Sequence, residues 1–129
     1  MLDRFERGEL DPAAFRHSDH VGVAFAALEH HGFFEALLIY ANGLKVLVEK
    51  AGKPEKFNAT VTFAYMSAIS ERMHLRPAND ASGFIAENPD LLSGSVLNGY
   101  SQDRLQGDLA KRIALMPDRS IMRETLTLL

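Results

Sequence analysis

The 129-residue chain has no cysteine, so disulfides, thiolate metal ligands and thiol nucleophiles are excluded together, and the fold must rest on its core alone. It also lacks a run of lysine or arginine. Its 14 basic and 17 acidic residues are spread evenly and leave a formal charge of −3, whereas non-specific nucleic-acid binding needs a concentrated basic footprint. No nucleic-acid partner is therefore expected. The longest apolar stretch, Phe33 to Val48, is interrupted by Glu35, Asn42, Gly43 and Lys45. It is too short and too polar to cross a bilayer and reads as a core helix, with no membrane partner expected. The first residues, MLDRFERGELD, are acidic where an export signal would be basic and then apolar, which predicts a cytoplasmic protein. Familiar catalytic signatures are missing too: there is no Gly-rich phosphate loop, no G-x-S-x-G elbow and no H-E-x-x-H helix.

What is present is helical periodicity. With 47% hydrophobic and 24% charged residues, the composition is that of one globular domain spanning 1–129. Asp11-Pro12 opens a short turn that brings Phe15 toward the core, and Ser18 is a candidate N-cap for a helix from Asp19 to His30. There Val21, Ala24, Phe25 and Leu28 follow i, i+3, i+4, i+7 spacing. After Gly32 a second helix is predicted from Phe33 to Ala51, with Phe34, Leu37, Leu38, Ala41, Leu44, Val48 and Ala51 as its apolar face and Gly52 and Pro54 as its stop. Asn58 caps a third, running to about His74, whose apolar residues nearly encircle it and mark it as central. Shorter helices are predicted over Ala81–Glu87, Ser95–Gly99, Gln102–Gln106 and Asp108–Met116. In the tail, Met122, Leu126 and Leu129 could pack on the body or on a second subunit. The expected fold is all-α: a compact bundle of three long helices plus several short ones.

Two groups of residues could carry chemistry. His17 and His20 stand three apart at the entry of the first long helix, a spacing that can bring two imidazoles to one divalent metal ion. Glu71 and His74 form an E-x-x-H pair on one face of the third helix, the arrangement found singly in each half of helical-bundle carboxylate metal sites. The candidate metal set is His17, His20, Asn58 and Glu71, with Asn58 contributing its carbonyl oxygen. Beside this stands simple structure: histidines near helix ends are often solvated, capping or dipole-complementing. The pair His30-His31 lies about 16 Å along the helix from His20, too far to share an ion. Aspartates 11, 80, 90, 103 and 108 fall at helix starts and read as caps.

The segments His17-Ser18-Asp19-His20-Val21, Glu71-Arg72-Met73, Asn88-Pro89-Asp90-Leu91-Leu92 and Pro117-Asp118-Arg119 together resemble a small bacterial family of all-α proteins to which no activity is attached. The resemblance covers most of the chain and implies an all-α bacterial domain. In that family the segment matching Phe57-Asn58-Ala59-Thr60 tends to read Tyr-His-Glu-Thr, and here the histidine and glutamate positions hold Asn58 and Ala59. Two functions follow from the residues. One is a domain that binds a metal ion or small-molecule ligand near His17 and His20, with catalysis left open. The other is a non-catalytic interaction domain, such as a homodimer, that uses a face such as Phe33, Ile39 and Tyr40.

Overall fold

The computed structural model describes residues 1–119; Met122, Leu126 and Leu129 lie outside the described residues. Among them there are helices and turns and no strand. Helix α1 (Leu2–Glu6) precedes a 3₁₀ turn at Pro12–Ala14, followed by α2 (His17–His30) and α3 (Phe33–Lys50). A second 3₁₀ turn at Pro54–Lys56 leads into α4 (Ala59–Leu75), then α5 (Ala81–Glu87), 3₁₀ turns at Pro89–Leu92 and Ser95–Leu97, α6 (Gln102–Gln106) and α7 (Asp108–Arg112). Four helices reach seven residues or more, with α2, α3 and α4 at 14, 18 and 17 residues.

Helix α2 starts earlier than Ser18 because the cap comes from elsewhere. Asp19, in its first turn, accepts a hydrogen bond from the Arg16 amide at 2.9 Å, closing the helix start from inside. His17 and His20 therefore both sit in the first turn of a regular helix. Asn58 caps α4 as expected: its Oδ1 accepts from the Val61 amide at 3.0 Å. The stop of α3 is a Schellman-type turn, in which Gly52 takes φ +73° and the Lys53 amide donates to the Val48 carbonyl at 2.8 Å.

Helix α3 buries a face rotated from the one its periodicity suggests, with Leu37 and Leu44 of the expected stripe packed partly against the core. Ala36, Tyr40, Gly43 and Leu47 point inward, while Phe34 and Leu38 are 80% and 61% exposed. Apolar residues lie on most sides of this helix, so spacing alone admits two stripes. The buried one contains the small residues that permit close approach. Gly43 lies directly under the Phe5 ring, and a Cβ there would overlap that ring. Helix α1, which has too few residues to announce itself by periodicity, is held by this contact. The same arrangement removes Tyr40, 4% exposed, from any interaction surface, and packs Phe33 partly against the core.

Helix α4 is central, touching α2, α3 and α7. Met66 and Ile69 are fully buried in it, as is Thr60, whose hydroxyl donates to the Ile113 carbonyl at 2.7 Å and accepts from the Leu115 amide at 3.0 Å. The Asn58 side chain reaches in the same direction, its Nδ2 donating to the Leu105 carbonyl at 2.8 Å. These bonds tie the C-terminal segment to the start of α4. They also explain why α7 stops at Arg112 and does not run on to Met116: the carbonyl of Ile113 and the amide of Leu115 are engaged by Thr60.

The Arg72, Asp90 and Asp118 segments are structural in this fold. Arg72 on α4 makes a two-pronged ion pair with Asp90, with both N···O distances 2.7 Å, and the neighbouring Leu91 is buried. Asp118 accepts from the Ser101 amide and hydroxyl at 2.7 and 2.8 Å.

Candidate functional site

A cavity of about 340 Å³ opens between α2, α3 and α4 and is closed by the two 3₁₀ turns after α5. Helix α4 supplies Val61, Tyr65 and Ile69, which recur at helical spacing and face one way. From α3 come Tyr40, Leu44 and Val48, again four apart, and from α2 come His17, His20 and Val21. Leu91 and Leu97 close the far end, whereas Lys56, Phe57 and Asn58 stand at the start of α4. From Asn58 to Ile69 is about 16 Å of helix rise, so the cavity is elongated along α4.

Its polar groups are few and differ in how they are used. Asn58 is committed to its two backbone partners, and the Thr62 hydroxyl donates to the Asn58 carbonyl at 2.8 Å. His20 is half-buried, its ring edge-on to Phe15 at 4.6 Å between centroids. Burial, with a smaller contribution from His17, holds its imidazole pKa below the usual value of 6.5, and Asp19 opposes that only in part. His20 is thus a neutral imidazole at neutral pH, a donor at one nitrogen and an acceptor at the other. Tyr40 is almost wholly buried, and burial together with the facing Tyr65 raises its phenol pKa far above the ordinary value, so it stays protonated. Its hydroxyl has no hydrogen-bond partner among the described residues. No described side-chain N or O atom is both sealed from solvent and unpaired, so this hydroxyl must open on the cavity it lines.

An aromatic ladder positions these groups. Phe5 stacks on Phe15 at 5.9 Å and on Tyr40 at 6.2 Å, and Phe15 in turn abuts His20. Gly43, by admitting Phe5, sets the orientation of both polar groups. Spacing pointed to His17 and His20, but Tyr65 read in the sequence as a core residue and Tyr40 as part of an interaction face. Only their opposition across a void marks them as part of a site.

The sequence-derived metal set is partly assembled. His17 and His20 face the same cavity with ring centroids 6.1 Å apart, and Asn58 lies at its rim. Glu71 is exposed on α4 and does not line it, and neither does His74, whose Nδ1 is 2.8 Å from the Ser70 carbonyl. Among the described residues no group of three or more His, Asp or Glu side chains is placed to hold a metal ion. His31 pairs with Glu35 one turn along α3, at 3.1 Å. No described helix is long and apolar enough to cross a membrane.

No protein-family model, curated protein or solved structure matches the chain. The site's own chemistry is the ground for a functional reading.

Proposed function

We propose that the protein is a small-molecule-binding domain whose site is the cavity around His17 and His20. The observation that carries this reading is the cavity's make-up: apolar walls from three helices around a few converging polar groups, of which Tyr40 and His20 have no hydrogen-bond partner among the described residues. That is the general composition of an organic-ligand pocket. A metal ion fits the same residues less well. The Asn58 oxygen already caps α4, Glu71 is elsewhere, and two imidazoles alone make half of a tetrahedral site. The proposal includes the likeness to the bacterial all-α family and a cytoplasmic setting, and it leaves open whether the bound molecule is converted or only held.

Thermal unfolding with added indole tests the reading. The melting temperature should rise for the wild-type chain, and the rise should vanish in Val61→Trp, which fills the cavity from α4. Methyl chemical shifts of Val21, Leu44 and Val61 that do not move on titration would remove the cavity as a binding site. Stoichiometric metal in chelator-free protein, lost in the His17→Ala, His20→Ala variant, would replace the organic ligand with an ion.

A second reading rests on α3. Phe34 and Leu38, one turn apart, are large, apolar and exposed. They, and not Phe33, Ile39 and Tyr40, form the face a homodimer or protein partner would cover. Sedimentation of the wild type against Phe34→Ser, Leu38→Ser decides it: a dimer that becomes a monomer supports the interface.

A further inference from the structure

Resting on the binding reading above, the geometry points to a planar aromatic monocarboxylic acid as the class of molecule the cavity takes. The charge pattern of the walls is one-sided. Among the described residues, the titratable side chains that line the cavity are His17, His20, Lys56, Tyr40 and Tyr65, with no aspartate or glutamate. Lys56 is exposed at the edge and brings a full positive charge, and the shallow groove beside it adds Lys50 and Lys53 against a single carboxylate, Asp11. Two of these groups are already committed: Lys50 donates to the Gly8 and Leu10 carbonyls at 2.9 and 2.7 Å, and Asp11 accepts from the Ala13 amide. Asp19, the carboxylate that acts on His20, caps α2 and is not a wall residue.

Every free polar group that the described residues place on the walls can therefore donate a hydrogen bond, and none of these is negative. The two phenols are donors throughout the physiological range: the ordinary phenol value of about 10 already lies above it, and burial raises both further. A carboxylate accepts from several donors at once and gains from the cation at the mouth, whereas an ammonium group would meet no counter-charge. The walls select the rest of the molecule. Tyr40, Tyr65 and Phe57 present rings, and Val61, Leu44 and Ile69 fill the surfaces between them with aliphatic carbon. A flat aromatic body suits an elongated slot between packed helices better than a bulky one.

The test compares three probes that share one ring system: naphthalene-2-carboxylate, its neutral carboxamide, and 2-naphthylmethylammonium. Binding is followed by methyl and aromatic chemical shifts in the full chain. The carboxylate should bind tightest, with the ammonium weaker by about tenfold or more. In Lys56→Gln and in Tyr40→Phe the carboxylate should lose most of its advantage over the carboxamide. Circular dichroism melting of both variants checks that the fold is intact. Equal affinity for all three probes overturns the carboxylate assignment and leaves the binding cavity standing, as does an advantage that survives in both variants. Failure of all three to shift any cavity resonance overturns the cavity reading itself.

Discussion

Two buried phenols in this protein have opposite fates. Tyr100, on the C-terminal flank, donates its hydroxyl to the Leu115 carbonyl at 2.8 Å, while Tyr40, more deeply buried, points its hydroxyl into a cavity with no described partner. The same contrast holds for whole regions. On the C-terminal flank Thr60, Asn58, Ser101 and Asp118 are consumed by backbone and by one another, and serve to fasten loops to α4. At the cavity, His20, Tyr40 and Tyr65 are held in place by packing and have no side-chain hydrogen-bond partner among the described residues. Because these groups open on the cavity and are not sealed from solvent, they escape the cost of a buried unpaired group and remain able to bond a molecule that enters it.

The largest effect should come from breaking the ladder that positions the cavity side. Phe5→Ala removes a fully buried ring from between Gly43, Phe15 and Tyr40. It should cost about 3–5 kcal/mol in denaturant unfolding and loosen ligand binding as well, whereas a loss confined to stability would separate the ladder from the site. On the fastening side, Thr60→Val deletes one hydroxyl and strands both the Ile113 carbonyl and the Leu115 amide. A loss of about 1–3 kcal/mol is expected, measured the same way, with binding at the cavity little changed.

The two tyrosines then give the sharpest contrast. Tyr100→Phe should lower stability by about 1 kcal/mol because a made hydrogen bond is lost. Tyr40→Phe should leave the free protein unchanged or slightly more stable, with its cost appearing only in ligand affinity. Equal destabilisation by both substitutions would mean that Tyr40 is structural.

The smallest effect concerns acid. The folded state holds the His20 imidazole below its usual pKa, so just below the ordinary value of 6.5 the unfolded chain binds the proton more readily. Stability from this residue is therefore complete above that value and declines as the pH falls toward the folded-state pKa. His17 acts with burial in this direction, and Asp19 acts against it. Melting curves between about pH 7.5 and pH 5.5 should show a fall in melting temperature that is shallower in His20→Asn. An unchanged slope would assign the acid response to other groups.

Much of the helical framework was legible in the sequence because it is written in local terms. Asn58 followed by an apolar-rich run predicted α4 and its cap, and Gly52 and Pro54 predicted the end of α3. The 3.6-residue pattern of Val21, Ala24, Phe25 and Leu28 placed α2. Local spacing also singled out His17 and His20, since residues three apart on a helix share a face. It could not say that Asp19 and not Ser18 closes the helix start, because either residue is a good capping group and only the chain's approach through Arg16 selects one. Nor could it choose between the two apolar stripes of α3.

By itself, then, the sequence determined the all-helical character, most helix positions and the pair of histidines, because backbone hydrogen bonding and side-chain periodicity act over a few residues. Only the tertiary structure decided which stripe of α3 was buried, that Glu71 stands apart from the histidines, and that Tyr40 and Tyr65 face each other across a cavity. Those are relations between residues far apart in the chain, set by where Gly43 lets Phe5 approach and where Thr60 and Asn58 fasten the C-terminal segment. A void has no local signature, because it is defined by atoms that three helices fail to bring into contact.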